Sequence, residues 1–426
     1  MANDAELTQK TARRGPVTER RKWVILTAVL LGFVVMALNW FSIAVAFPQI
    51  GAEFDLGVSE LALLISVFLV GVGLFHIPSG LLATRFGLRV VLVLGLAIES
   101  VAAILSAMAA DYVQLLVVRF VAGVGTSIFI AIGIAAVSVW YREKHLALAL
   151  GLLSAGYSVG TALGLYTWAD VTEGMGWRNA LAVGGGLGVA ATVLIAAVYK
   201  TPPGNDGLDG ERITIAAVRH TLGNRQLWLY GVAFLGTYGA FFAASQMLGE
   251  YGASNGALTS DQVGIAVLML GLAGIPGSVV GGWLSDRLSM RRTFILAAIL
   301  LQGLLLLALP ITPPGLLWLS AAGIGFAFNG GWAVWQCVPG NTAGVRAEDI
   351  GTAIGLMLSI TAVGGFLIPW GFGHIVETFG YTWAWVFLGG VGIVSGVTAL
   401  IAHEPSRTEH VAVAPRRGVA GRRLVR

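Results

Sequence analysis

Three ionisable side chains lie inside long apolar runs of this 426-residue chain: His76, Glu99 and Arg119. Charge among apolar neighbours is costly, so such groups are functional candidates. Histidine and glutamate can exchange a proton near neutral pH, whereas arginine keeps its charge. Two chemistries are open for Glu99 and Arg119. One is a structural ion pair that leaves neither charge uncompensated. The other is a proton site at Glu99, controlled by Arg119 and by burial. His76 either hydrogen-bonds a nearby backbone carbonyl or faces a cavity, where its protonated form would bind a monoanion.

Neutral polar residues recur around these three at helical spacing. Ser154, Ser158 and Thr161 stand at i, i+4 and i+7, with Tyr157 beside them. Asn329, Trp332 and Gln336 stand at i, i+3 and i+7. Tyr238, Phe242, Ser245 and Gln246 form a third group, and Asn39 and Ser42 a fourth. One polar face on each of four helices fits a wet pocket with aromatic walls. Helix-to-helix hydrogen bonding is the plainer alternative. No nucleophile with its base is visible, and no metal-ligand spacing. No Gly-x-x-x-x-Gly-Lys loop is present for a nucleotide. The lone Cys337 excludes an internal disulfide and a cysteine cluster. An enzyme, a cofactor and a bound metal are therefore not expected.

The elements that position these residues are apolar spans. Twelve are read, at 24–48, 60–82, 89–109, 112–138, 146–168, 179–199, 227–249, 262–284, 293–310, 315–338, 350–371 and 382–402. Most reach the ~20 residues a helix needs to cross a bilayer. Hydrophobic residues make up 56% of the chain and charged ones 11%, with mean hydropathy +0.81. Soluble domains carry about 25% charged residues. The fold expected is an all-α membrane protein of twelve transmembrane helices in two six-helix bundles. The first apolar run is too long for a cleaved signal peptide, so it is expected to stay as span 1.

Charge is sorted by side. The tails and even-numbered connections carry 24 of the 26 Lys and Arg; Arg178 lies on the other side and Arg119 within a span. Basic residues stay in the cytoplasm, so both termini are expected there. The base-rich side has net charge +12 (24 bases, 12 acids) and the base-poor side −8 (one base, nine acids). The net +4 therefore reports topology rather than nucleic-acid binding. The basic run Arg13 to Lys22 is expected against anionic lipid.

The chain also repeats itself. Gly80, Arg85 and Arg89 match Gly282, Arg287 and Arg291 at an offset of 202. Gly151, Val159 and Gly160 match Gly355, Val363 and Gly364 at 204. Glu173, Gly176 and Ala180 match Glu377, Gly380 and Ala384 at 204. Two parallel halves follow. The expected organisation is a tail over 1–22, a bundle over 23–199, a linker over 200–226, a bundle over 227–403 and a basic tail over 404–426.

The loop Gly282-Trp-Leu-Ser-Asp286-Arg287 with Arg291 and Arg292, the run Arg119 to Gly125 and Gly176-Trp177-Arg178 resemble signatures of the major facilitator superfamily. The resemblance covers about residues 20–403. It implies two bundles around a central cavity that opens alternately to each side. Spans 1, 2, 4, 5, 7, 8, 10 and 11 would line it. The resemblance further implies that Asp286 meets the start of span 5, near Leu146, while Arg287, Arg291, Arg292, Arg85 and Arg89 tie helix ends in a base-side gate. Thr84 stands where the family usually has Asp, so that lock is expected to be one-sided. Gly73 to Gly80 around His76 resembles nitrate/nitrite porters, where an arginine holds the histidine position. The matching arginine of span 8 is Ser278 here. The arginine and lysine of oxalate-type exchangers are absent too, so a multiply charged anion is not expected. The region at Gly156-Tyr157 lacks the Gly-Pro typical of drug-efflux antiporters.

The expected function is that of a secondary transporter of a small polar organic solute or monoanion, coupled to protons, acting as a monomer in the cell membrane. A proton-coupled multidrug exporter is the alternative. A transport-dead sensor or scaffold is the alternative of another class.

Overall fold

The structure is a computed structural model that describes residues 16–141, 146–200, 215–254, 258–345 and 350–405. Most of the expected tails and of the linker lie outside the described residues, as do the side chains of Thr84, Leu146 and Asp286. In hydrocarbon a backbone must satisfy its own hydrogen bonds, and helices do so within one segment. Among the described residues the regular elements are helices. They are α1 (Pro16–Val45), α2 (Phe47–Phe54), α3 (Val58–Phe86), α4 (Leu88–Ala107) and α5 (Tyr112–Tyr141). Next come α6 (Leu146–Ala162), a π turn (Leu163–Thr167), α7 (Trp168–Met175), α8 (Trp177–Val198) and α9 (Ile215–Leu222). The second half contains α10 (Arg225–Ser254), α11 (Ser260–Leu272), α12 (Gly274–Leu288), α13 (Arg291–Ala308) and α14 (Leu317–Gln336). It ends with α15 (Ile350–Phe379), α16 (Tyr381–Gly396) and α17 (Thr398–Ile401).

Among the described residues, eleven helical stretches are long and apolar enough to cross a membrane. The chain is a multi-pass membrane protein. The tenth expected span is present as α14, a 20-residue helix diluted by Asn329, Gln336 and its glycines. Span 1 ends earlier than expected, at Val45, because Pro48 opens a separate short helix. Span 5 runs further than expected, through the π turn to Met175.

The internal repeat has a structural counterpart. Gly176 and Gly380, 204 residues apart, take φ of +81° and +84°. Each turns the chain between two packed helices with no Cβ in the way. Within the first half α4 packs on α5 and α8, α3 on α5, and α1 on α6 and α8. Within the second, α10 packs on α15 and α16, and α14 on α11, α12 and α13.

Two seams join the halves: α3 against α15, and α6 with the π turn against α11. Both close toward the base-poor end. A Cβ on Gly373 would sit 2.6 Å from Ser59 Cα, so α15 and α3 touch backbone to backbone there. The Glu377 carboxylate accepts from Ser59 N at 2.8 Å, in the first turn of α3. At the base-rich end, by contrast, Ser154 and Gln336 are exposed.

Candidate functional site

A cavity of about 220 Å³ lies between the halves. Five short segments of α1, α3, α6, α10 and α14 supply most of its chemistry. Of the expected residues, His76, Ser154, Tyr157, Tyr238, Phe242, Asn329, Trp332 and Gln336 line it. Trp40 and Ser278 join them, with Phe33, Phe328 and several aliphatic side chains. Among the described residues, no Lys, Arg, Asp or Glu lines this cavity.

Trp40 of α1 and Phe242 of α10 form its roof. Their rings stack across the two halves with centroids 5.1 Å apart and planes within 5°. Tyr238 packs on Phe242 at 4.7 Å and on Trp332 at 5.6 Å, and Tyr157 meets Trp40 edge-on at 5.9 Å. Such pairs are worth ~0.5–1.5 kcal/mol beyond area burial. Trp40 is 2% exposed, and its Nε1–H has no protein acceptor. A buried donor without a partner is costly, so the roof carries an unmet hydrogen-bonding demand.

His76 sits just before Pro78, which interrupts the hydrogen bonding of α3. Ser79 Oγ takes up the His76 carbonyl at 2.6 Å. The His76 ring bonds through Nδ1 to Ser127 Oγ. Ser127 Oγ donates to the Val72 carbonyl at 2.6 Å, so its one hydrogen is committed there. Nδ1 must then carry the proton and donate to Ser127. This pattern leaves Nε2 as an acceptor in the neutral ring and a donor in the charged one. The Asn329 amide nitrogen donates to Gly325 O at 2.9 Å, which leaves Oδ1 uncommitted.

Four expected cavity residues are elsewhere. Asn39 is buried and donates from Nδ2 to Glu99 Oε2 at 3.5 Å. It precedes Trp40, and one residue is ~100° of helix, so Asn39 turns away when Trp40 faces the cavity. Ser42 is buried for the same reason and donates to Asn39 O at 3.2 Å. Ser158 is buried one turn beyond Ser154 and is absent from the lining. Gln246 lies one turn beyond Phe242, past the roof, and lines a separate cavity.

Of the two alternatives for Glu99 and Arg119, the ion pair is not formed as a direct contact. Glu99 is 1% exposed with Asn39 as its partner. Arg119 instead lies over the Phe68 ring at 4.4 Å, and its Nη2 reaches the Trp40 carbonyl at 3.4 Å. Its Nε has no partner. Arg119 therefore holds the backbone of a roof residue, a link the sequence did not reveal.

At the base-rich end Arg85 lies over Phe86 at 5.3 Å and Arg287 over Trp283 at 5.2 Å, both exposed. Arg89 Nη2 donates to Ala196 O at 2.6 Å, tying α4 to the end of α8. Arg292 donates from N to Glu404 Oε1 at 2.9 Å and from Nη1 to Ala402 O at 3.0 Å. Arg291 is mostly buried at the start of α13. The expected Asp286 contact and the Thr84 position lie outside the described side chains.

At the base-poor end Arg178 ties the loops of the first half. Its Nη2 meets Glu53 Oε1 at 2.5 Å, and Nη1 donates to Ala107 O at 2.8 Å. Trp177 Nε1 donates to Glu53 Oε2 at 2.7 Å. The Arg178 hydrogen bond, against the opposing effect of burial, holds the Glu53 carboxyl below its ordinary range.

The sequence profile of the Major Facilitator Superfamily matches residues 29–258 and 227–425. The chain belongs to the Major Facilitator Superfamily. It is a transporter-family protein, not an enzyme. Three facilitator-family relatives carry small anions by name. A D-galactonate transporter of Escherichia coli is 22% identical over 415 residues, covering 90% of this chain and 95% of the relative. A probable nitrate/nitrite antiporter of Thermus thermophilus is 27% identical, covering 85% and 86%. A probable sulfoacetate transporter of Cupriavidus necator is 26% identical, covering 85% and 89%. A facilitator-fold crystal structure is also similar: a bacterial homologue of the human lysosomal transporter Spinster, inward-facing and unoccupied. Its TM-score is 0.68 at 18% identity, covering 90% of this chain and 95% of that one.

Proposed function

We propose that this protein is a secondary transporter of a small organic monoanion, working by alternating access and coupled to protons. One observation carries the reading. The cavity between the halves holds neutral donors and aromatic walls and, among the described residues, neither a fixed cation nor a carboxylate. Trp40 Nε1–H and a protonated His76 Nε2–H would bind one negative charge. A dianion would lack a second cation. A cationic drug would find no carboxylate. A 150 Å³ apolar cavity takes benzene, so ~220 Å³ suits a solute of only a few more heavy atoms. The relatives that carry galactonate, sulfoacetate and nitrate support an anion.

The base count sets the orientation in this reading: the base-rich face and both termini are cytoplasmic. The described state is then inward-open. Return to outward-open requires the α3–α15 and α6–α11 seams to part and the base-rich ends to close.

The test is counterflow in proteoliposomes, across monocarboxylates, sugar acids, dicarboxylates and lipophilic cations. Saturable exchange of monoanions, weakened by His76→Ala, is expected. Exchange of lipophilic cations alone would replace this reading with a multidrug exporter. Absence of exchange by any solute would leave a sensor or scaffold.

A further inference from the structure

A second cavity, of about 440 Å³, lies on the other side of the Trp40–Phe242 roof, at the base-poor end. The ends of α1 and α10, the π turn with α7, and the start of α11 enclose it, so both halves contribute. Exposed residues at its rim, Gly249, Ala253 and Ser260, open it to that face.

Two side chains on one face of α10 give it its chemistry. Gln246 and Glu250 stand at i and i+4, so they project together. Gln246 is 1% exposed. Its Nε2 donates to Phe242 O at 3.4 Å, which fixes the amide and leaves Oε1 pointing away from that bond without a partner. Glu250 Oε2 is also buried without a partner. Ser245 Oγ spends its hydrogen on Phe242 O at 3.2 Å, so it too can only accept. Among the described residues, no lysine or arginine lines the cavity. The ionisable groups at this end of the helices packed on α10 are Glu60 of α3, Asp261 of α11, His374 and Glu377 of α15 and Tyr381 of α16. The Tyr381 hydroxyl, a donor near Glu250, is also without a partner; two unsatisfied acceptors still suit a cation, and the acidic face around them attracts one.

We propose that this vestibule is a cation site in which the Glu250 carboxylate and Gln246 Oε1 take up one small positive charge, either a proton on Glu250 or a monovalent metal ion. The site rests on the monoanion reading for its role. An ionised Glu250 repels an anion arriving at the roof, and one bound cation removes that repulsion. Cation and anion would therefore load together from the base-poor side. The earlier candidates for the coupling ion, His76 and Glu99, lie beyond the roof and behind it.

The test uses purified full-length protein without any solute. Thermal stability is followed in sodium chloride against choline chloride, and separately in choline chloride as pH falls. A ligand of the native state raises Tm with its concentration. Wild type should gain stability in one arm relative to Glu250→Gln, which should lack that gain while keeping the pH dependence of the remaining groups. The sodium arm identifies a metal ion and the pH arm a proton. Glu250→Asp, which keeps the carboxylate, should keep the response at weaker affinity and guards against a variant that fails to fold. A response equal in wild type and Glu250→Gln overturns the site, as does a wild type that responds in neither arm. Because no solute is present, a failed substrate panel leaves these outcomes intact, and a flat cation response leaves counterflow intact.

Discussion

Replacing Glu377 should move the resting balance between the two open states. Its carboxylate accepts from Ser59 N at 2.8 Å, from the end of α15 to the start of α3. The bond spans the two halves, so it exists only while the base-poor seam is shut. Glu377→Gln keeps an acceptor but removes the charge beside a helix N-terminus, worth ~0.3–1 kcal/mol. Glu377→Ala removes the cap outright, ~0.5–2 kcal/mol. At about 1.4 kcal/mol per tenfold, the first is a ~2- to 5-fold shift and the second ~2- to 30-fold, both away from the closed base-poor seam. Spin labels at Asp170 and Asp261, exposed at that end, would report the distance between the halves in a Cys337→Ser background. Glu173 matches Glu377 in the repeat and is likewise exposed, but among the described residues it makes no hydrogen bond across the seam, so Glu173→Gln is the control. Unchanged distance distributions in both Glu377 variants would refute the latch, and an equal shift in the Glu173 control would show a general charge effect instead.

Three more outcomes follow from the site. Trp40→Phe keeps the stacked ring and loses only the N–H; bonds to charged groups are worth ~1.5–3 kcal/mol, so anion affinity should fall roughly tenfold or more, and equal counterflow affinity would remove Trp40 from binding. Glu99→Gln should spare counterflow and folded yield, since Glu99 contacts Asn39 rather than Arg119; a drop in yield restored by removing Arg119 as well would show an ion pair instead. Glu53 is held below its ordinary range by Arg178, so it contributes stability above that range and loses it as pH falls through the lowered value; the pair is partly exposed, so the loss should stay under ~1 kcal/mol, and Arg178→Ala should flatten the acid limb of a Tm–pH curve.

Much of this architecture was legible because bilayer physics writes itself into sequence. Span length, base asymmetry and the 204-residue offset each follow from a strong constraint, and Gly176 and Gly380 share a backbone conformation that the offset anticipated. The site was less legible. A polar residue in an apolar span suggests a cavity face, but Asn39 meets Glu99 of a neighbouring helix and Ser42 bonds back to its own, while the apolar-looking Trp40 between them faces inward. Rotation of a helix about its axis is set by packing, and a span apolar on all sides carries little record of it. Glu250 and Glu377 were counted as loop charges because they sit at span ends, where one further helical turn decides whether a carboxylate meets solvent or the other half. The partner of Arg119 was undecidable for the same reason: its roof contact is a backbone carbonyl, which no residue type announces.

The roof has an electrical meaning. One cavity opens to each face, and only the stacked pair Trp40 and Phe242 with its immediate neighbours separates them. Solvent carried in from both faces brings each bulk potential close to those rings, so the membrane voltage falls across a layer little thicker than one helical turn. A charge crossing that layer meets nearly the whole ~2.3 kcal/mol per 100 mV, whereas a charge moving within either cavity meets almost none. Solute docking from either face is then electrically silent, and the current belongs to the step that carries net charge past two aromatic rings.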